Sequence, residues 1–287
     1  MSTGIAFGLA AAFAWGLNDY FIALAARRTG VMRTVLGFHV IATTLLAVAA
    51  LASGALRGVT AEQVAVLFGV GVLGAAAYLL FFRALAIGPI SIVSPIVSGY
   101  AAVTVLLAVF VLGERLSIGQ TIAVLIAMLG VVLASADLRT LRGIHRSALV
   151  GVALAVAAMI WTGGFVFGVS YFSDELGWLA PIFIGRGFST VVLGLIAVRG
   201  SGWHWPDRSP RLVGLIAVVG ILDTLGYVAF NLGAQRDDTA LVATASTPYA
   251  VVPVIMGVAL LGERPAPNQW LGVVAVIGGL VLLGLVS

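Results

Sequence analysis

The chain carries one segment twice. Val111-Leu112-Gly113-Glu114-Arg115 returns as Leu260-Leu261-Gly262-Glu263-Arg264, and a gap-free slide of residues 64–134 onto 213–283 leaves about 20 positions identical. In that register Tyr78 meets Tyr227, Phe81 meets Phe230, Tyr100 meets Tyr249 and Gln120 meets Gln269. An internal repeat fixes architecture before any local pattern does. Each copy is almost wholly apolar: 61% of the chain is hydrophobic and only 9% is charged. About a quarter of a soluble domain is charged, so the two copies read as halves of a duplicated membrane protein.

Span counting sets the topology. A helix needs about 20 apolar residues to cross a bilayer. Ten such stretches are predicted, over 4–26, 34–53, 62–87, 90–112, 117–136, 148–172, 178–198, 211–235, 239–261 and 268–286. The fold class is therefore an all-α membrane protein. The first repeat occupies 1–136, a charged loop 137–147, and the second repeat 148–287. The first span is longer than the apolar core of a signal peptide and reads as retained. A second charged break, Arg199 to Arg211, carries Trp203, Trp205 and Pro206, residues suited to a membrane interface. Each repeat holds five spans. An odd number forces the second copy to enter from the opposite face, so the halves are expected to be inverted, with a substrate site at their interface near the midplane. Arg27, Arg28, Arg33, Arg139, Arg142, Arg146, Arg199, Arg208 and Arg211 share one side. The positive-inside rule puts that side in the cytoplasm and both termini outside.

Several chemistries are excluded. The chain has no cysteine, so disulfides, thiolate metal sites and thiol nucleophiles are absent. It has no lysine either, which removes Schiff-base chemistry and the lysine of a phosphate-binding loop. The net charge of +4 lies in short arginine-bearing loops rather than in a nucleic-acid face. With only His39, His145 and His204, and no His-Glu-x-x-His or paired-aspartate motif, an intramembrane lipid-modifying enzyme is the weaker reading. No cofactor or metal is expected.

Ten spans in two halves, each with Gly-Glu-Arg after its fourth helix, resemble the drug/metabolite transporter superfamily. So do Ala84-Leu85-Ala86 before a proline-bearing fourth helix and Trp15 early in the first. The closest resemblance is to its EamA-type ten-helix branch, which includes bacterial amino-acid exporters. It implies a multi-pass protein of the bacterial inner membrane, with both termini cytoplasmic, the opposite of the sidedness that the arginine count gives, so the sequence leaves orientation open. It implies export of small metabolites, most of all amino acids of broad specificity including aromatic ones; drugs, nucleosides and polyamines are the alternatives.

Candidate site residues follow from polarity and recurrence. Gly-Glu-Arg reads as helix-ending grammar, with glycine in the left-handed conformation and Ser117 with Gln120 as a capping box for the next helix. Pro89, Pro95, Pro248 and Pro253 enter corresponding helices of the two halves, and interrupted helices in matched positions point to a transport site. Ser94, Ser98 and Thr247 lie beside them. Trp15 and Trp161, Tyr78 and Tyr227, and Tyr249 opposite Tyr100 recur as deep aromatic rings. Asn18, Arg83 and Asn231 add polar groups within spans, where such groups are functional candidates. The substrate-binding set is thus Trp15, Asn18, Tyr78, Arg83, Ser94, Ser98, Trp161, Tyr227, Asn231, Thr247 and Tyr249, with Asp19 and Asp223 as coupling carboxylates. Arg186, on the helix before Asp223, is the candidate ion-pair partner. Ala123 with Ala127, and Ala275 with Gly279, have small-xxx-small spacing that suits either packing within the bundle or a homodimer. Lipid and a small-molecule substrate are the other partners; no nucleic acid is expected.

Overall fold

The computed structural model describes residues 2–87, 93, 96–135, 146–199, 209–252 and 266–286. These residues are helical, without strands. The principal helices are α1 (Thr3–Thr29), α2 (Val31–Ser53), α3 (Ala61–Ile87), α4 (Tyr100–Leu107), α5 (Ile118–Ser135), α6 (Arg146–Tyr171), α7 (Leu179–Arg199), α8 (Pro210–Ala234), α9 (Thr239–Ser246) and α10 (Pro267–Val286). A π-helical turn, Ala108–Leu112, extends α4, a 3₁₀ turn, Thr247–Ala250, extends α9, and a short helical turn, Ser173–Leu176, precedes α7. Among the described residues, six helices are long and apolar enough to cross a membrane, namely α1, α2, α3, α6, α7 and α8; the other apolar helices, such as Ile96–Leu112, are shorter. Pro89, Pro95 and Pro253 lie outside the described residues, as do Gly262-Glu263-Arg264 and most of the 137–147 loop.

Polar residues at the helix ends satisfy groups that lipid cannot. Ser117 and Gln120 form the expected reciprocal box: the Ser117 N–H donates to Gln120 Oε1 at 2.8 Å, and the Gln120 N–H to Ser117 Oγ at 3.2 Å. Thr60 and Gln63 repeat this at the start of α3. Gly113 stops the π turn at φ 71°, the left-handed region where glycine carries no steric penalty. Glu114 does more than sit at the water interface. Its two carboxylate oxygens accept from the N–H groups of Thr239 and Ala240, each at 3.0 Å, so the end of α4 caps the start of α9 across the two halves.

Helix pairs cross between the repeats: α1 packs on α8, α3 on α6, α2 on α7, α4 on α9 and α5 on α10. Small residues set the close approaches. Gly130 lies on the backbone of 272–276, and Gly279 on Ala123 and Ala127. The small-residue faces of α5 and α10 are therefore consumed within the chain. That contact is antiparallel, because 130 faces 272–276 while 119 faces 286. In α1 against α8, Gly4 meets Gly233 and Trp15 meets Gly226, again antiparallel; α1 runs parallel to α9, with Gly8 at Val242 and Gly16 at Val252. Outward faces carry Leu51, Phe110 and Val198, each more than 70% exposed. Water would disfavour such a surface, and acyl chains solvate it.

Candidate functional site

Where the two halves meet, the bundle forms a cavity of about 60 Å³. The face of α1 that reaches it is Trp15, Asn18, Asp19 and Ile22, the i, i+3, i+4, i+7 stripe of one helix side. Helix α3 adds Ala77, Tyr78 and Phe81; α6 adds Thr162, Phe165 and Val166; α8 adds Asp223 and Tyr227. Val97, Tyr100 and Tyr249 complete the wall.

Aromatic rings hold one another in place. Trp15 meets Tyr227 edge to face at 5.0 Å and Tyr100 at 5.9 Å. Its indole fits because residue 226 is glycine; a Cβ there would stand 2.3 Å from Trp15 Nε1. The tyrosines matched by the repeat touch: the Tyr78 hydroxyl lies 3.3 Å from that of Tyr227, and the Tyr100 and Tyr249 rings are 6.0 Å apart.

Behind the wall lies a buried ion pair. Arg186 Nη2 is 2.5 Å from Asp223 Oδ2 and donates to the Tyr78 hydroxyl at 3.1 Å. The Tyr78 hydroxyl donates to Asp223 Oδ1 at 2.8 Å. The guanidinium also stacks on Tyr227 at 4.7 Å and Tyr78 at 5.1 Å. Asp223 faces the cavity, whereas Arg186 reaches it only through Asp223 and Tyr78. His39 packs edge-on against the Tyr78 ring at 4.6 Å. This is the pairing expected for two opposite charges on adjacent apolar helices, since an unpartnered charge there is costly.

The expected set divides. Trp15, Asn18, Tyr78, Tyr227, Tyr249, Asp19 and Asp223 come together on the cavity wall. Trp161 does not: it is 38% exposed on the outer surface. Arg83 is exposed near the end of α3. Asn231 is buried one turn below Tyr227, accepting from Ser173 and donating to the Tyr227 carbonyl. Thr247 is buried and donates to the Thr244 carbonyl. Ser98 is buried off the wall, and Ser94 lies outside the described residues.

The displacement of Trp161 has a specific cause. Gly16 rests on Tyr249 and Val252, and Gly163 rests on Tyr100 and Val103. Since 100 and 103 correspond to 249 and 252, Gly163 is the counterpart of Gly16, and Thr162 is the counterpart of Trp15. Thr43 and Thr190, which meet at 2.7 Å, share this spacing of 147 residues, against 149 for Tyr78 and Tyr227. The first two helices of each half thus follow a register two residues shorter. Pairing Trp15 with Trp161 misses it by one position, and one position turns an α-helical side chain by about 100°. The shorter register would have found Thr162, Phe165 and Val166.

Two apolar helical halves joined around a cavity of matched residues define a two-repeat, multi-pass membrane transporter fold. The EamA-like transporter family matches residues 2–136 and 149–285, and the chain belongs to that family, within the drug/metabolite transporter superfamily. It is 26% identical over 204 residues to an "uncharacterized transporter" of Clostridium kluyveri, covering 63% of this chain and 59% of that protein. Over 94 residues, 32% of this chain and 66% of the relative, it is 30% identical to an "uncharacterized transporter" of a Sinorhizobium species. A solved crystal structure shares the fold over 100% of this chain and 99% of its own, with a TM-score of 0.76 at 20% identity.

Proposed function

We propose that the protein is a secondary transporter of the bacterial inner membrane that exports small metabolites bearing an amino group, amino acids among them, by alternating access. The observation that carries this reading is the cavity at the repeat interface, where Tyr78 meets Tyr227 on the line that relates the two halves. Transporters built from inverted repeats hold their substrate at that junction and rock one half against the other. The antiparallel run of α5 against its counterpart α10 supports inversion, and ten crossings in two five-helix units account for it. Aromatic walls give apolar contact without fixing one side-chain shape, which suits broad specificity. Asp19 and Asp223 are the carboxylates available for proton coupling. Among the described residues no group of His, Cys, Asp or Glu could hold a metal ion for hydrolytic chemistry.

The test is flux in proteoliposomes containing the purified full chain, with a panel of amino acids, amines, nucleosides and polyamines, and recovery of each solute chemically unchanged. Accumulation of unchanged solute supports the reading. Conversion of a lipid with no solute flux overturns it.

A further inference from the structure

We infer that the cavity selects an amphipathic monocation, a primary amine with an apolar body, over the amino acid that carries the same side chain. This rests on the transport reading above and names the substrate class of that same site.

Helices α1 and α8 give the cavity its amide and carboxylate groups, whereas α6 gives it mainly apolar ones. Asn18 and Asp19 of α1 and Asp223 of α8 line it. The antiparallel register that sets Trp15 against Gly226 brings these three residues to the same side. Helix α6 presents Phe165 and Val166 at the positions that correspond to Asn18 and Asp19, with Thr162 one turn away. Duplication gave both halves the same frame, and their polarity then diverged.

The charged side chains that line the cavity, among the described residues, are both acids. Two carboxylates line the cavity, and no arginine, lysine or histidine does so among the described residues. Arg186 offsets Asp223 from behind, and Tyr78 takes its second oxygen. An independent observation points to a ligand. Asn18 is only 2% exposed, and its Oδ1 acceptor has no hydrogen-bond partner among the described residues. A buried acceptor without a donor is costly, and an ammonium N–H supplies the donor. Trp15, one helical turn from Asn18 and Asp19, lines the same cavity, and indole is the side chain that attracts a cation most strongly. Phe165 and Val166 then receive the apolar body. An amino acid would bring a carboxylate with no lining base to meet it, beside two acids.

The experiment uses the full chain in proteoliposomes and compares phenethylamine with phenylalanine, and isopentylamine with leucine, at limiting concentration and at a pH where the amines are charged. Uptake by protein-free vesicles is subtracted. The wild-type protein in detergent is also titrated with each compound, following its thermal midpoint, because a ligand of the folded state raises it. The expected result is initial rates and half-saturation favouring each amine by about ten-fold, equivalent to about 1.4 kcal/mol, with Asp19→Asn collapsing the preference. Amino acids moving as fast as their amines, or raising the midpoint at equal concentration, overturn the inference while leaving transport intact. Movement of other solutes in the panel with neither class bound or moved also overturns it. Absence of flux for every solute overturns the transport reading itself. The two wild-type comparisons decide the matter even if Asp19→Asn fails to fold.

Discussion

Asp223→Asn removes one charge from a pair whose side chains are only 1% and 4% exposed. Arg186 is fully buried, and its only carboxylate partner among the described residues is Asp223, 2.5 Å away. The asparagine keeps an oxygen for the Tyr78 hydroxyl, and the stacking of Arg186 on Tyr227 and Tyr78 is unchanged, so the loss is electrostatic. Stranding one member of a buried pair costs about 3–5 kcal/mol, and the retained acceptor places this variant at the lower end. Arg186→Met with Asp223→Asn removes both charges at similar volume, and such replacements are close to neutral. The coupling energy of the cycle is then at least about 2 kcal/mol. The assay is denaturant unfolding of wild type, both single variants and the double variant in one detergent. Additive effects, or an Asp223→Asn protein as stable as wild type, would refute the structural pair. Transport separates the second role: pH-dependent uphill export retained in both Asp223→Asn and Asp19→Asn eliminates these carboxylates as proton carriers.

Glu114→Ala unties the start of α9 and should lower stability by about 1 kcal/mol, the usual effect of losing a helix-capping acceptor. Burial raises the Glu114 carboxyl above its ordinary value despite the Ala240 and Thr239 N–H groups. Its contribution is therefore fullest below the ordinary carboxylate range and falls as pH rises through the raised value. A stability profile against pH should flatten over that window in Glu114→Gln, and an unchanged slope would count against it. Trp161→Ala should leave flux within about two-fold because the ring faces outward, as expected of a surface change away from any site, whereas Thr162→Trp should block flux by filling the cavity. Gly226→Ala pushes a methyl to within 2.3 Å of the Trp15 indole. Overpacking of this kind costs about 1–3 kcal/mol and outweighs the gain of roughly 0.5–1 kcal/mol from alanine in a helix. Shrinking the indole in Trp15→Phe should restore the thermal midpoint.

Much of this architecture was legible because lipid imposes a strong pattern. Six long apolar helices lie where hydropathy predicts them, and Gly113 and the Ser117–Gln120 box end and begin helices as their chemistry requires. The Arg186–Asp223 pair was legible for the same reason, since two charges in adjacent apolar spans have few other ways to be stable. What sequence distances missed was rotational phase. A membrane helix that is apolar on every side carries almost no periodic signal to say which face turns inward. Residue type alone therefore points to Trp161, whereas it is the neighbouring Thr162 that lines the cavity. The reach of Glu114 across to α9 was hidden for a related reason: the partners are backbone N–H groups, which every residue but proline possesses.

The departures from the repeat carry more functional information than the repeat itself. Residues that match across the halves lie where the halves meet: Tyr78 touches Tyr227, Tyr100 touches Tyr249, and Gly16 and Gly163 rest on matched partners. The polar groups do not match: Asp223 corresponds to Gly74, Arg186 to His39, Asn18 to Phe165 and Asp19 to Val166. A symmetric cavity would hold a ligand equally well in two opposed orientations. Confining the charge and the unpartnered amide oxygen to one wall removes that degeneracy, so a ligand with one charged end has one bound orientation. Val166→Asp restores the missing symmetry and supplies a second acid opposite Asp19. It should move the preference from monoamines to diamines of matching length, read as a change in relative flux. An unaltered preference in a folded Val166→Asp protein would mean that the two walls do not read the two ends of the substrate.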